Sequence, residues 1–181
     1  RRRELLTQLG IIIEVLRADI DETPLPGEAP QVYTERLAKA KAEAGWAKVH
    51  EFGLPPRPLL AADTTVVLNG EIIGKPDSAD HARTILKQLS GKEHQVVTSI
   101  AVKQGDDCRV VSTVSNVCFR PLLDEEIDHY IISGEPMDKA GAYGIQGVAA
   151  TFVREIKGSY TGIVGLPLAE TVELLREFGI E

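Results

Sequence analysis

Two periods of apolar positions run along the chain, one near 3.6 residues and one of two. Glu4-Leu5-Leu6-Thr7-Gln8-Leu9-Gly10 reads as a short helix stopped by glycine. Ile11 to Leu16 is rich in β-branched residues and is expected to be a strand. An acidic loop follows, Asp19-Ile20-Asp21-Glu22-Thr23-Pro24, with further turn residues through Pro30. Gln31 to His50 lacks proline and is dense in Ala, Lys and Glu, which predicts a helix. Phe52 to Pro58 is a proline-bearing break.

Leu59 to Leu68 is an apolar run interrupted by Asp63, Thr64 and Thr65, a pattern suited to a strand covered on both faces. Asn69-Gly70 predicts a hairpin returning through Ile72-Ile73. Ala79, Ala82, Leu86 and Leu89 form a helical stripe ending at Gly91. His94–Lys103 and Arg109–Phe119 read as strands joined at Gly105-Asp106-Asp107. Leu123, Ile127, Tyr130 and Ile131 mark an amphipathic helix. The stretch 134–147 is glycine-rich and irregular, Val148–Ile156 is strand-like, and Leu168, Val172 and Leu175 mark a last helix. This order predicts an α/β fold with a mixed sheet, in one domain over 1–181.

The balance of 20 Lys+Arg against 27 Asp+Glu leaves a formal charge of -7. That argues against a general nucleic-acid binder, so a phosphate-bearing ligand must be gripped by a local basic cluster. The two cysteines fit no zinc or redox spacing, as expected of reduced thiols in a cytoplasmic protein. No apolar run is long enough for a membrane helix, and no signal peptide is visible.

Several residues are candidates for chemistry. Arg1-Arg2-Arg3 is either a solvated basic end or a set of guanidinium forks for phosphate. Asp21 and Glu22 are either solvated loop acids or carboxylate ligands for Mg²⁺. Lys41 lies beside small apolar residues, so it either snorkels or points its ammonium into a cleft. Asp63 is the most informative position: a carboxylate in an apolar strand needs a partner, a metal or a catalytic role. Lys75 sits in the turn Gly74-Lys75-Pro76, which lacks the spacing of a Walker loop. Lys139, Tyr143 and Gln146 are interleaved with glycines over 138–147, as where backbone approaches a ligand. The four histidines match no metal spacing.

Taken in order, these motifs resemble the Maf family of nucleotide pyrophosphatases over essentially the whole chain. The segments are R-R-R-E-L-L at 1–6, D-E-T at 21–23, R-L-A-K-A-K-A at 36–42, A-A-D-T at 61–64, G-K-P at 74–76 and L-S-G-K-E-H at 89–94. They continue with F-R-P-L at 119–122, S-G-E-P-M-D-K-A-G-A-Y-G-I-Q-G at 133–147, G-S-Y at 158–160 and V-G-L-P-L at 164–168. The resemblance implies an elongated sheet flanked by helices, with two lobes around an active-site cleft as in ITPase-like proteins. It implies hydrolysis of nucleoside triphosphates to monophosphate and pyrophosphate with a divalent cation, Mg²⁺ or Mn²⁺. By matching motif, Asp63 is the catalytic carboxylate and Glu22 the second acid, both also metal ligands. Lys41 and Lys75 join them in catalysis, and Arg2 and Lys139 bind phosphate.

The subgroup acting on dTTP and UTP is similar to this chain at three positions, Arg1, Thr64 and Gln146, with modified pyrimidine nucleotides left open as substrates. Gln146 is expected to be a buried amide matched to the base edge. The family also opens with a short strand and a Ser-x-Ser-Pro stretch, which implies a native first strand ahead of Arg1. It further implies a homodimer without nucleic-acid or membrane partners. The rival reading is a non-catalytic nucleotide-binding regulator of cell division, since the family is also associated with septum formation.

Overall fold

The computed structural model describes residues 1–180. Helix α1 spans Arg2–Gln8, and α2 spans Pro30–Glu51. A hairpin follows, β1 (Leu59–Leu68) and β2 (Glu71–Ile73), turned at Asn69 and Gly70, both with positive φ as the Asn-Gly pair predicts. Next come α3 (Ala79–Leu89), β3 (Glu93–Gln104), β4 (Asp107–Phe119) and α4 (Asp124–Ile132). Three short 3₁₀ turns fill 135–152 before β5 (Val153–Lys157), α5 (Tyr160–Val164) and α6 (Leu168–Glu177). No helix among the described residues is long and apolar enough to cross a membrane.

The five strands form one sheet in the order β2-β1-β3-β4-β5. The α/β class and the flanking helices are as expected, but every pairing is antiparallel rather than mixed. The reason is topological. The β2–α3–β3 crossover joins two strands that run the same way, and β1 lies between them, so no parallel contact forms.

Side chains alternate across the sheet, and each face has its own cover. On one face α2 packs closely because Ala38 and Ala42 are fully buried against Ala101. The other face holds the main core, where Ala62, Val66, Val96, Ile100 and Val102 meet Leu5 and Leu6 of α1, Leu86 and Leu89 of α3, Ile127 of α4 and Leu174 of α6.

Two expected strands are corrected. Residues 11–16 have no strand partner among the described residues. Their alternation is real, since Ile11 and Ile13 pack on the core while Ile12 is 97% exposed. But among the described residues β1 to β5 pair only with one another and none reaches this segment, and an extended segment without a ladder is a loop. In 148–156 the first five residues form a 3₁₀ turn, and the strand starts at Val153. Ala149 and Phe152 are the buried positions there, a spacing of three that suits a helical turn and not a strand.

His94, at the start of β3, is enclosed by aromatic rings. Its Nε2 lies 2.7 Å from the Tyr143 hydroxyl, Phe119 meets it edge-on, and Nδ1 has no partner among the described residues. Burial pushes its pKa down to about 4. The unfolded chain therefore takes up this proton near pH 6.5, well before the folded one does. Stability is present above the unfolded value and is lost as pH falls toward the folded one, by about 3 kcal/mol over the window. We predict that His94→Gln flattens the decline in urea-unfolding free energy between about pH 6.5 and pH 4. An unchanged slope would show that His94 is not the group responsible.

Candidate active site

The alternation of β1 and β3 builds two polar rows in an otherwise apolar sheet. Asp63, Ser99 and Ser112 are register partners and face α2; Thr64, Thr98 and Thr113 are register partners on the opposite face. The first row continues as Thr34 Oγ1 to Ser99 Oγ at 2.7 Å, Ser99 to Ser112 at 2.8 Å and Ser112 to Glu35 at 2.8 Å. In the second, Thr64 Oγ1 lies 2.9 Å from Thr98 Oγ1, which donates to the Gly162 carbonyl at 2.7 Å.

Lys41 of α2 meets the first row. Its Nζ lies 2.8 Å from Asp63 Oδ1 and 2.7 Å from Glu22 Oε1. Asp63 is 7% exposed, and burial raises its pKa while the Lys41 hydrogen bond opposes that shift. Glu22 is more open, and its own contact with the Lys41 ammonium holds its pKa down, helped by the charges of Lys75 and Arg2. Glu22 is also fixed by its main chain, whose carbonyl accepts from Tyr33 Oη at 2.9 Å.

Arg2 approaches from the second row. It donates from Nε to the Gly165 carbonyl at 2.8 Å and from Nη2 to Thr64 Oγ1 at 3.3 Å. The residue as a whole stays solvent-accessible, but crowding around its guanidinium lowers its pKa, while Asp63 and Glu22 act in the opposite sense. Two carboxylates and three basic side chains thus act on one another across a small region. A cluster of this kind offers more positive than negative charge to an arriving anion.

A loop wall stands beside it. The Gly141 N–H donates to the Gly74 carbonyl at 3.1 Å and so clips the glycine-rich loop to the turn carrying Lys75. Gly141 has φ +71, and a Cβ there would meet Val66 Cγ2 at 2.7 Å, so both conformation and space call for glycine. Tyr143, buried on His94, anchors the middle of the loop. Glu135 braces the end, accepting from Tyr130 Oη at 2.9 Å with its carboxylate pressed on Gly147.

The structure therefore brings Asp63, Glu22, Lys41, Arg2 and Thr64 together, with Lys75 exposed and close enough for its charge to reach Glu22. Arg1 is exposed, and its charge acts on Asp138 and Arg2. Lys139 is turned onto its own loop, donating at 2.8 Å to both the Glu135 carbonyl and Asp138 Oδ1. Gln146 is exposed, not buried, because the loop's inward positions are filled by Tyr143 and Ile145. Sequence reasoning missed Thr98 and Tyr33. Thr98-Ser99 repeats the signal of Asp63-Thr64, adjacent polar residues inside an apolar strand, and was open to the same argument. Tyr33 carried no signal beyond sharing a helix with Lys41.

No group of three or more His, Cys, Asp or Glu suited to a metal occurs among the described residues. Asp63 and Glu22 together fit a hard cation such as Mg²⁺, which takes one or two carboxylates and fills its shell with phosphate oxygens and water. They do not fit an ion that needs a full protein cage.

The family model for Maf-like proteins matches residues 1–178. A dTTP/UTP pyrophosphatase of Chromobacterium violaceum is 59% identical over 181 residues, covering 100% of this chain and 91% of that protein. Proteins of the same name from Aromatoleum aromaticum and Dechloromonas aromatica are 55% and 54% identical, each over 99% of this chain and over 91% and 93% of their own lengths.

Burial gives Asp63 a sign that can be measured. A carboxyl whose pKa is raised on folding stabilises the fold while protonated, and that contribution is lost as pH rises through the folded-state value. In chelator, Asp63→Asn is predicted to melt at or above the wild-type temperature near neutral pH. The difference should vanish below the ordinary carboxylate range. A variant clearly less stable near neutral pH would mean that the Lys41 pair outweighs the desolvation of Asp63.

Proposed function

The chain belongs to the Maf-like protein family, and we propose that it hydrolyses dTTP and UTP to the nucleoside monophosphate and pyrophosphate. The observation that carries this reading is the Lys41 ammonium held between a buried and an open carboxylate, with Arg2 and Lys75 acting on the same acids. Phosphoryl transfer asks a protein mainly for positioning and charge compensation, and this cluster supplies both.

Arg2, Lys41 and Lys75 neutralise the triphosphate. Water attacks the α-phosphorus, the bond to the bridging oxygen breaks, and pyrophosphate leaves with that oxygen. Asp63 takes the proton of the attacking water, a role suited to a carboxylate whose burial makes it more basic than usual. A divalent cation, Mg²⁺ or Mn²⁺, held by Asp63 and Glu22, supplies further neutralisation of the phosphates when bound. Lys139 is proposed to exchange its contact with Asp138 for the polyphosphate, and Arg1 and Thr64 to act with Gln146 in selecting the pyrimidine base. Gln146 is proposed to offer its amide to the pyrimidine edge, and its exposed place on the wall leaves it open to a ligand. Both cysteines are free thiols, which supports a cytoplasmic setting.

The test is pyrophosphate release from a nucleotide panel with Mg²⁺ or Mn²⁺. UTP and dTTP are expected to turn over well and 7-methyl-GTP poorly, with activity abolished by chelator. Asp63→Asn is expected to lower kcat by about 10²–10⁴-fold. Gln146→Glu should erode the pyrimidine preference by roughly tenfold or more, since a carboxylate loses the amide donors. Nucleotide binding without pyrophosphate release under either ion would favour a non-catalytic regulator instead.

A further inference from the structure

The loop that carries Glu22 has no regular structure of its own, yet it is fastened to α2. Arg36 of α2 donates from Nε to Glu28 Oε1 at 2.6 Å and from Nη2 to Glu28 Oε2 at 2.7 Å. This fork fixes the orientation of a carboxylate as well as its charge. The same Nη2 donates to the Thr23 carbonyl at 3.1 Å, one residue after Glu22. Glu28 Oε2 in turn accepts from the Leu25 N–H at 3.0 Å, and the Thr23 N–H closes a turn onto Asp21 Oδ1 at 2.9 Å.

An exposed Arg–Glu pair ordinarily contributes little. This one differs in three respects. The Glu28 side chain is only 5% exposed, the contact is two-pronged, and both partners also hold loop backbone. The Arg36 guanidinium lies 5.6 Å from the centre of the Tyr33 ring, and Tyr33 holds the Glu22 carbonyl. Arg36 makes no hydrogen bond to Asp63, Lys41 or the Glu22 carboxylate, so its effect on them runs through the chain it holds.

We infer that Arg36, acting as a unit with Glu28, is a positioning residue that fixes the Glu22 carboxylate beside Lys41 and Asp63. This rests on the pyrophosphatase reading for its kinetic consequence and on the geometry alone for its structural one. Loop residues have many conformations, and misplacing a reacting group by an ångström can cost on the order of 10²-fold in rate. Lysine at this position keeps the charge but cannot form the fork.

The experiment combines amide hydrogen exchange with steady-state kinetics on Arg36→Gln, Arg36→Lys, Glu28→Gln and the swap Arg36→Glu/Glu28→Arg. In Arg36→Gln and Glu28→Gln, the Thr23 and Leu25 amides are expected to exchange at least about tenfold faster while the β3 amides keep wild-type protection. In the same variants kcat should fall roughly 10–100-fold with KM changed much less, Arg36→Lys should lie between, and the swap should recover part of the loss. Unchanged loop exchange in both single variants would overturn the clamp. Faster exchange with wild-type kcat would overturn its role in positioning. If Arg36→Gln also loosens the β3 amides, Glu28→Gln and the swap decide: wild-type kcat in Glu28→Gln, or no recovery in the swap, overturns the proposal. If the wild type releases no pyrophosphate at all, the functional reading fails, and the exchange arm still decides whether Arg36 holds the loop.

Discussion

The Lys41 ammonium between Asp63 and Glu22 is the contact on which the rest of the site depends. A carboxylate inside an apolar strand loses its hydration, and only a cation or a set of donors can offset that loss. Asp63 has both Lys41 in contact and Arg2 nearby, and burial still raises its pKa. The charge is therefore held under strain of solvation, the state in which a carboxylate is a better base. Removing the lysine would leave a buried anion without its closest partner, so α2 is required for the site as well as for the core.

That requirement explains the composition of α2. Small residues at Ala38 and Ala42 let the helix lie close on the sheet, and only a close helix places a lysine ammonium on a strand carboxylate. The sheet contributes through alternation. Asp63 and Thr64 are neighbours in sequence and must face opposite sides, so one meets α2 and the other meets Arg2. Behind them, Thr64 is tied through Thr98 to the Gly162 carbonyl, while Ser99, the register partner of Asp63, is satisfied by Thr34 and Ser112.

The loops around this rigid centre are held differently: the 139–147 loop buries Ala142, Tyr143 and Ile145 in the core, whereas the exposed Glu22 loop is held by side chains of α2. The 139–147 loop is joined to the Lys75 turn by one backbone hydrogen bond and to the sheet by Tyr143 on His94. The Glu22 loop is joined to α2 by Tyr33, Arg36 and Lys41. Such an arrangement suits a site for a large anionic ligand, because one wall is fixed by core packing while the exposed Glu22 loop lies open to solvent beside Asp63 and Lys41.

Much of this was legible in the chain of residues. The Asn-Gly hairpin, the two long strands around Gly105, the helical stripes and the anomalous Asp63 all follow from short-range pattern, and the ordered motifs pointed to the Maf family over the whole length. What local pattern could not reach was everything that depends on a distant partner. The alternation over 11–16 is a strand pattern, and it makes no ladder because none of β1 to β5 pairs with it. The α/β alternation suggested mixed strand directions, and the insertion of β1 between β2 and β3 made the sheet antiparallel. Gln146 reads as a buried amide, but Tyr143 and Ile145 fill the inward positions, and Lys139 is drawn to its own loop by Asp138. Nothing in the local pattern around Arg36 points to Glu28 or Thr23, which only folding sets against it. Period and propensity are set by neighbours a few residues away, whereas pairing, burial and charge partners are set by which segments meet in space.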